Sequence, residues 1–209
     1  LIAQRGYGAD ASMHDLSRSI GEANALDKTC LRKILWVDAV HPQAPIDERF
    51  CNSVSIYNSL RTADLDPDKV VYLAFTSGTT GTPKGVMHSD NSLLANGRAM
   101  VKDWSHDHRT VLLSLSPMSH HIGTVAVEQQ LVAGMELVLN DPRTKMHPLD
   151  WIIASDASYV MGVPTHAIDV LAELKQRNLN QLGSVKLFYM AGSPIAPELA
   201  AQFLAMGIT

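Results

Sequence analysis

Residues 74–86 read AFTSGTTGTPKGV, with four threonines, three glycines, one serine and a single charge at Lys84. The hydroxyls of Thr76, Ser77, Thr79, Thr80 and Thr82, together with exposed backbone N–H groups, are the kind of donors that phosphate oxygens accept from. A lysine ammonium is a compact point charge suited to a polyphosphate. Gly78, Gly81 and Gly85 let the backbone bend and approach a ligand closely, and Pro83 stiffens the segment that carries the lysine. An apolar run, Val70 to Phe75, leads into this loop and reads as a buried strand.

The spacing departs from the common phosphate loop. That loop has four residues between its first glycine and Gly-Lys-Ser/Thr, and then a helix. Here Gly81-Thr82-Pro83-Lys84-Gly85 breaks the rule, no Ser or Thr follows the lysine to hold magnesium, and the pattern after it is a strand. A P-loop kinase or GTPase is therefore excluded by geometry, and a polar hairpin turn without a ligand remains the competing reading.

Other residues with chemical potential carry less. His106-Asp107-His108 has no third metal ligand at useful spacing and reads as a solvated loop. No Gly-x-Ser-x-Gly elbow supports a hydrolase. His121 reads as a packing or capping residue. Trp36, Trp104 and Trp151 read as core or half-buried anchors, and Met87, Met100 and Met118 as fillers of core gaps.

The elements that must position the loop follow from periodicity. A helix over 10–25, a short strand over 33–39 and a proline-containing connector over 41–69 precede it. From residue 70 strands alternate with helices. Strands are expected at 70–76, 85–88, 110–116, 136–140, 158–163 and 185–192. A helix opening at the capping residues Ser89 and Asp90 runs to Trp104, and others lie at 124–134, 148–156, 164–177 and 197–206. Strands apolar on both faces, separated by helices, imply an α/β fold: a mostly parallel sheet with helices on both faces. The division expected is 1–69 as the trailing part of a preceding α/β subdomain plus connector, and 70–209 as an incomplete subdomain holding the loop.

Composition sets outer bounds. The chain has 209 residues, 46% hydrophobic and 18% charged, with a net charge of −4. This is the composition of an ordinary globular protein, with no basic surface for nucleic acid and no polybasic membrane patch. No apolar run reaches the roughly 18 residues of a membrane span. Cys30 and Cys51 lack metal spacing and read as reduced cytosolic thiols, so a cytoplasmic location is expected.

The string TSGTTGTPKGV resembles the signature of the adenylate-forming (AMP-binding) superfamily, which includes acyl- and aryl-CoA synthetases, luciferases and the adenylation domains of peptide synthetases. PMSHHIG, residues 117–123, is similar to that family's Pro-x-x-His-x-x-Gly segment and puts His120 at the family histidine. MAGSPIAPEL, residues 190–199, is similar to its adenine-lining segment, and VMGVPTHAIDVL to its strand-to-helix junction. The resemblance runs from about residue 70 to the end.

The resemblance implies a layered αβαβα N-terminal domain, of which this chain would be an internal fragment, and a two-step reaction. A carboxylate would attack the α-phosphorus of MgATP and expel pyrophosphate, and a thiol, usually coenzyme A, would then take the acyl group. Thr76, Ser77, Gly78, Thr79, Thr80, Gly81, Thr82, Pro83, Lys84 and Gly85 would hold pyrophosphate oxygens, and Gly192, Ser193 and Pro194 would pack against adenine. Lys84, Thr80 and His120 are the catalytic candidates. No residue of this chain is expected to ligate a metal, because the family's magnesium-holding Glu belongs further along. After His120 the run HIGTVAV has no Asp for an amino-acid ammonium and no aryl-acid pattern, which leans toward an uncharged aliphatic or alicyclic acid. Partners are thus a small carboxylic acid, ATP and coenzyme A. A peptide-synthetase adenylation domain and a nucleotide-binding remnant without catalysis are the alternatives.

Leu1 at the start and LAMGIT at the end look like cuts within a longer enzyme. The 209-residue chain is accordingly expected to bind ATP weakly and to catalyse nothing alone. ATP–pyrophosphate exchange by the isolated chain with any carboxylic acid would overturn that expectation.

Overall fold

A computed structural model of the chain describes residues 2–4, 35–37, 66–76, 83–141 and 144–209. The helix expected over 10–25, Cys30, Cys51, most of the 41–69 connector and the loop residues Ser77 to Thr82 lie outside the described residues. Two compact units divide the chain, Leu1–Ser59 with Asp141–His147, and Leu60–Asn140 with Pro148–Thr209. In the first, β1 (Ile2–Gln4) pairs in parallel with β2 (Leu35–Val37).

The second unit opens with an antiparallel hairpin, β3 (Val70–Thr76) and β4 (Lys84–Ser89). It continues through α1 (Asp90–Asp103), β5 (Val111–Ser114), α2 (His121–Ala133), β6 (Glu136–Leu139), α3 (Pro148–Ala154), β7 (Tyr159–Gly162), α4 (Pro164–Gln176), β8 (Leu187–Met190) and α5 (Pro197–Ala205). The four later strands form a parallel sheet in the order β6-β5-β7-β8.

Local chemistry sets the helix ends. Ser89 Oγ accepts from Ser92 N–H at 3.3 Å, and Ser92 Oγ accepts from Ser89 N–H at 3.0 Å, a reciprocal cap that starts α1. Pro164 and Pro197 occupy first-turn positions, where a missing N–H costs nothing. The second helix ends at Gly134, whose φ of 68° suits a residue without Cβ.

Alternation along the strands fills both faces of the sheet. On one face Leu112, Tyr159, Met161 and Leu187 pack with Met100 of α1, with Ile122, Val125 and Ala126 of α2, and with Met135. Leu113, Val160 and Phe188 are buried on the other face, where the Phe203 ring of α5 lies 4.8 Å from Phe188. Strands covered on both sides carry near-continuous apolar sequence, which is why periodicity found them. Among the described residues no helix is long and apolar enough to cross a membrane.

Three expectations need correction. The 70–76 segment is a strand but not a buried one: only Ala74 is buried, and Phe75 is 71% exposed. Its apolar run covers both faces of a two-stranded ribbon rather than a central strand. The second helix starts at His121, three residues before the expected start, because His120 supplies the cap. Met87 and Met118 are exposed, whereas Met100 is in the core.

Helices α1 and α2 cross closely at Gly97, where a Cβ would lie 3.1 Å from the Glu128 carbonyl carbon. Glu128 itself is 4% exposed, and its Oε1 finds no hydrogen-bond partner among the described residues. Burial pushes this carboxyl up to about 7, against a smaller opposing effect of an Asn96 hydrogen bond. A carboxyl raised on folding binds more protons folded than unfolded, so its contribution is fully present below its unfolded pKa and is lost as pH rises toward 7. Glu128→Gln should flatten this loss. Urea unfolding at pH 4.5 and pH 7.5 should show the variant gaining about 1–3 kcal/mol on the wild type between the two.

Candidate functional site

The sheet order creates a crevice. From β5 the chain passes through α2 to β6 on one side, then returns through α3 to β7 on the other side of β5, and continues through α4 to β8. Right-handed crossovers in opposite directions send α2 and α4 to opposite faces. The loops leaving the carboxyl ends of β5 and β7 therefore part, and such a reversal is where open α/β sheets take ligands. Helices α2, α4 and α5 all begin at this edge, so their unpaired N–H groups favour an anion there.

Three loops meet at the crevice. After β5, Leu115 N–H donates to the Met161 carbonyl at 2.8 Å, and the chain turns at Pro117, whose carbonyl accepts from His120 N–H at 2.9 Å. His120 then caps α2, its Nδ1 accepting from Ile122 N–H at 3.3 Å, with the rest of the ring exposed. After β7, His166 Nδ1 accepts from Val163 N–H at 3.3 Å, and burial pushes this imidazole's pKa down. After β8, Gly192 adopts φ 93°, and a Cβ on it would sit 3.4 Å from Val163 and 3.6 Å from Ile122. Gly192, Ser193 and Pro194 are exposed at this edge.

The glycine of the Pro-x-x-His-x-x-Gly segment has a steric reason. A Cβ on Gly123 would lie 2.3 Å from the Pro117 carbonyl oxygen and 2.8 Å from Met118 Cα. The first turn of α2 can thus approach the strand-to-helix loop only with a hydrogen at this position.

The hairpin carries the ends of the hydroxyl-rich loop. Thr76 pairs across the strands with Lys84, and Phe75 with Gly85. Lys84 and Thr76 are exposed. Gly85 lies in regular strand, its Cα covered by the Phe75 ring, which a Cβ would meet at 3.4 Å. Local bending is therefore not what this glycine provides; it provides room for the ring. Ser77 to Thr82, including Thr80, lie outside the described residues.

Sequence reasoning missed a contact between the hairpin and α2. Tyr72 and His88 are cross-strand partners with ring centroids 5.8 Å apart. His121 stacks on both, 5.9 Å from Tyr72 and 5.1 Å from His88. Burial, then the neighbouring His88 and His120, push the His121 pKa down, which favours the neutral ring. The available signal was parity: Tyr72 and Thr76, like Lys84 and His88, are four residues apart and share a strand face. His121 packs, and the capping falls to His120.

The His106-Asp107-His108 run is no solvated loop throughout. His106 is half-buried, its ring 4.4 Å from Tyr159, and burial pushes its pKa down. Asp107 turns outward to Arg109, whose hydrogen bonds hold the carboxyl down to about 2. The two side chains diverge, and among the described residues no group of three His, Cys, Asp or Glu could hold a metal. A cavity of about 550 Å³ next to His106 is lined by Thr110, Ser158 and Lys186. It opens at the amino ends of the strands, the opposite edge from the crevice.

The sequence profile of the family described as AMP-binding enzyme matches residues 10–209. A medium-chain fatty-acid–CoA ligase of Escherichia coli (strain K12) is 25% identical over 85% of this chain and 31% of that ligase. A medium-chain-fatty-acid–CoA ligase of Ectopseudomonas oleovorans is 34% identical over 67% of this chain and 26% of its own length. The crystal structure of a long-chain-fatty-acid-CoA ligase from Archaeoglobus fulgidus superposes with a TM-score of 0.64 at 21% identity. It covers 99% of this chain and 38% of the other, and it supports the fold. The chain thus spans about a third or less of the curated relatives it matches.

Gly123→Ala tests the loop-to-helix approach. Alanine gains up to about 1 kcal/mol in helix propensity, but a backbone oxygen cannot move out of the way as a side chain could. The net outcome should be a loss of about 1–3 kcal/mol, read as a lower midpoint in urea unfolding.

Proposed function

This chain belongs to the AMP-binding enzyme family, and on that premise we propose that it supplies the nucleotide-gripping part of an AMP-forming acyl-CoA ligase. The carrying observation is the end pair of the hairpin: Lys84 opposite Thr76, at the mouth of a hydroxyl-rich loop, on the strand face that stacks on the residue after His120.

In the proposed reaction a carboxylate oxygen attacks the α-phosphorus of ATP. The acyl–O–P bond forms while the bond from that phosphorus to the bridging oxygen breaks, and pyrophosphate leaves with its charge. Lys84 and the donors of Thr76 to Gly85, Thr80 among them, would neutralise the oxygens of the departing group, because the enzyme's work here is alignment and charge stabilisation. A thiol, proposed to be that of coenzyme A, then attacks the acyl carbon and releases AMP. Gly192, Ser193 and Pro194 would form the floor for the adenine, with no Cβ at Gly192 between base and loop. His120 would stand at the acyl side of the crevice. Magnesium is proposed to accompany the ATP and to offset part of the triphosphate charge. An aliphatic or alicyclic acid is the proposed substrate, since the α2 residues after His120 are uncharged through Val127, and the cytoplasm is the proposed compartment.

The reading is tested by carboxylate-dependent ATP–pyrophosphate exchange on the natural full-length enzyme, with a panel of short, medium and cyclic acids. Exchange should appear with at least one uncharged-chain acid. Lys84→Met should lower kcat/KM for ATP by about 10²–10³, while His120→Ala should act mainly on the KM for the acid. No exchange with any acid, or full activity in Lys84→Met, would overturn it.

A further inference from the structure

A loop that grips phosphate has to be aimed, and a two-stranded ribbon is a poor mount because an isolated hairpin is marginally stable at best. The described residues show where this ribbon is fastened. On one face Leu73, Phe75 and Met87 are exposed. On the other, the register sets Tyr72 against His88, and His121 at the first position of α2 stacks on both rings, with interplanar angles of 16° and 21°. Tyr72 and His88 are each four residues from the ends of the loop, so their side chains share a face with Thr76 and Lys84, about 13 Å further along the strands.

We infer that Tyr72, His88 and His121 are positioning residues, an aromatic stack that fixes the loop-bearing hairpin to the helix begun by His120, so that Lys84 and His120 address one bound nucleotide and its acyl partner. This deepens the ATP-activating reading and rests on it. The stack joins the hairpin, which is not hydrogen-bonded to the parallel sheet among the described residues, to the first turn of α2, a crossover helix of that sheet. A change at His121 therefore acts on the loop without touching phosphate, and a change at His88 does so without touching the core.

The experiment uses the natural full-length enzyme with His121→Ala, His88→Ala and His121→Phe. Amide hydrogen exchange, without substrate, should quicken about tenfold over residues 70–89 in the alanine variants, a factor within the reach of aromatic pair contacts, while β5, β7 and β8 stay at wild-type rates. In pyrophosphate exchange the KM for ATP should rise about tenfold with kcat within about twofold, and His121→Phe, which keeps a ring, should restore both readouts. Wild-type exchange over 70–89 in both alanine variants overturns the inference, as does an unchanged KM for ATP or failure of the phenylalanine variant to rescue. His88→Ala lies on the exposed ribbon and keeps the test decisive if His121→Ala does not fold. If the wild type itself shows no ATP-dependent exchange, the ligase reading fails separately, and the amide-exchange comparison still decides whether the stack holds the hairpin.

Discussion

The parallel pairing of β5 with β7 is the constraint on which the rest of the larger unit depends. Leu112 faces Tyr159 and Leu113 faces Val160 in that pairing, and each pair belongs to a different core. Because the chain leaves β5 in one direction and β7 in the other, the same pairing sends α2 and α4 to opposite faces and opens the crevice between their starts. The Pro117–His120 turn, Val163 and Gly192 meet there as a consequence of strand order. A slip of one residue would exchange the two cores and dissolve the crevice at once.

The framework was legible in the sequence wherever a local rule agreed with the tertiary one. Ser89 capped a helix in sequence and structure alike, the helices expected from 164 and 197 begin at Pro164 and Pro197, and the strand at 70–76 was found to the residue. The start of α2 was misjudged because an imidazole is an uncommon cap, and His120 reads as chemistry before it reads as structure. Burial of β3 was misjudged because a continuous apolar run cannot distinguish a central strand from a ribbon apolar on both faces. Of the proposed site, Lys84, Thr76 and Gly192 were singled out by their motifs. The Tyr72–His88–His121 stack was not, since it depends on a cross-strand register with an irregularity between Val70 and Tyr72.

Buried polar groups gather on the α1–α2 side of the sheet. Tyr159 donates to Gln129 at 3.2 Å, and Gln129 in turn donates to the Val125 carbonyl and to Met161 sulfur. His106 stacks on the same tyrosine with its Nε2 unpartnered among the described residues. A satisfied network beside unsatisfied neighbours gives this face specificity at some cost in stability.

The glycines of α2 separate two demands that composition cannot tell apart. Gly123 is required because space is missing: a backbone oxygen stands where any Cβ would be. At Gly134 nothing lies within 4 Å of a Cβ, and the requirement is a φ of 68°. The first constraint is one of position: the oxygen stands where an L residue's Cβ would be, so every L side chain collides whatever backbone angles it prefers. The second is only a matter of handedness, so a mirror-image alanine would sit at Gly134 without strain. One end of the helix is thus defined by volume and the other by stereochemistry.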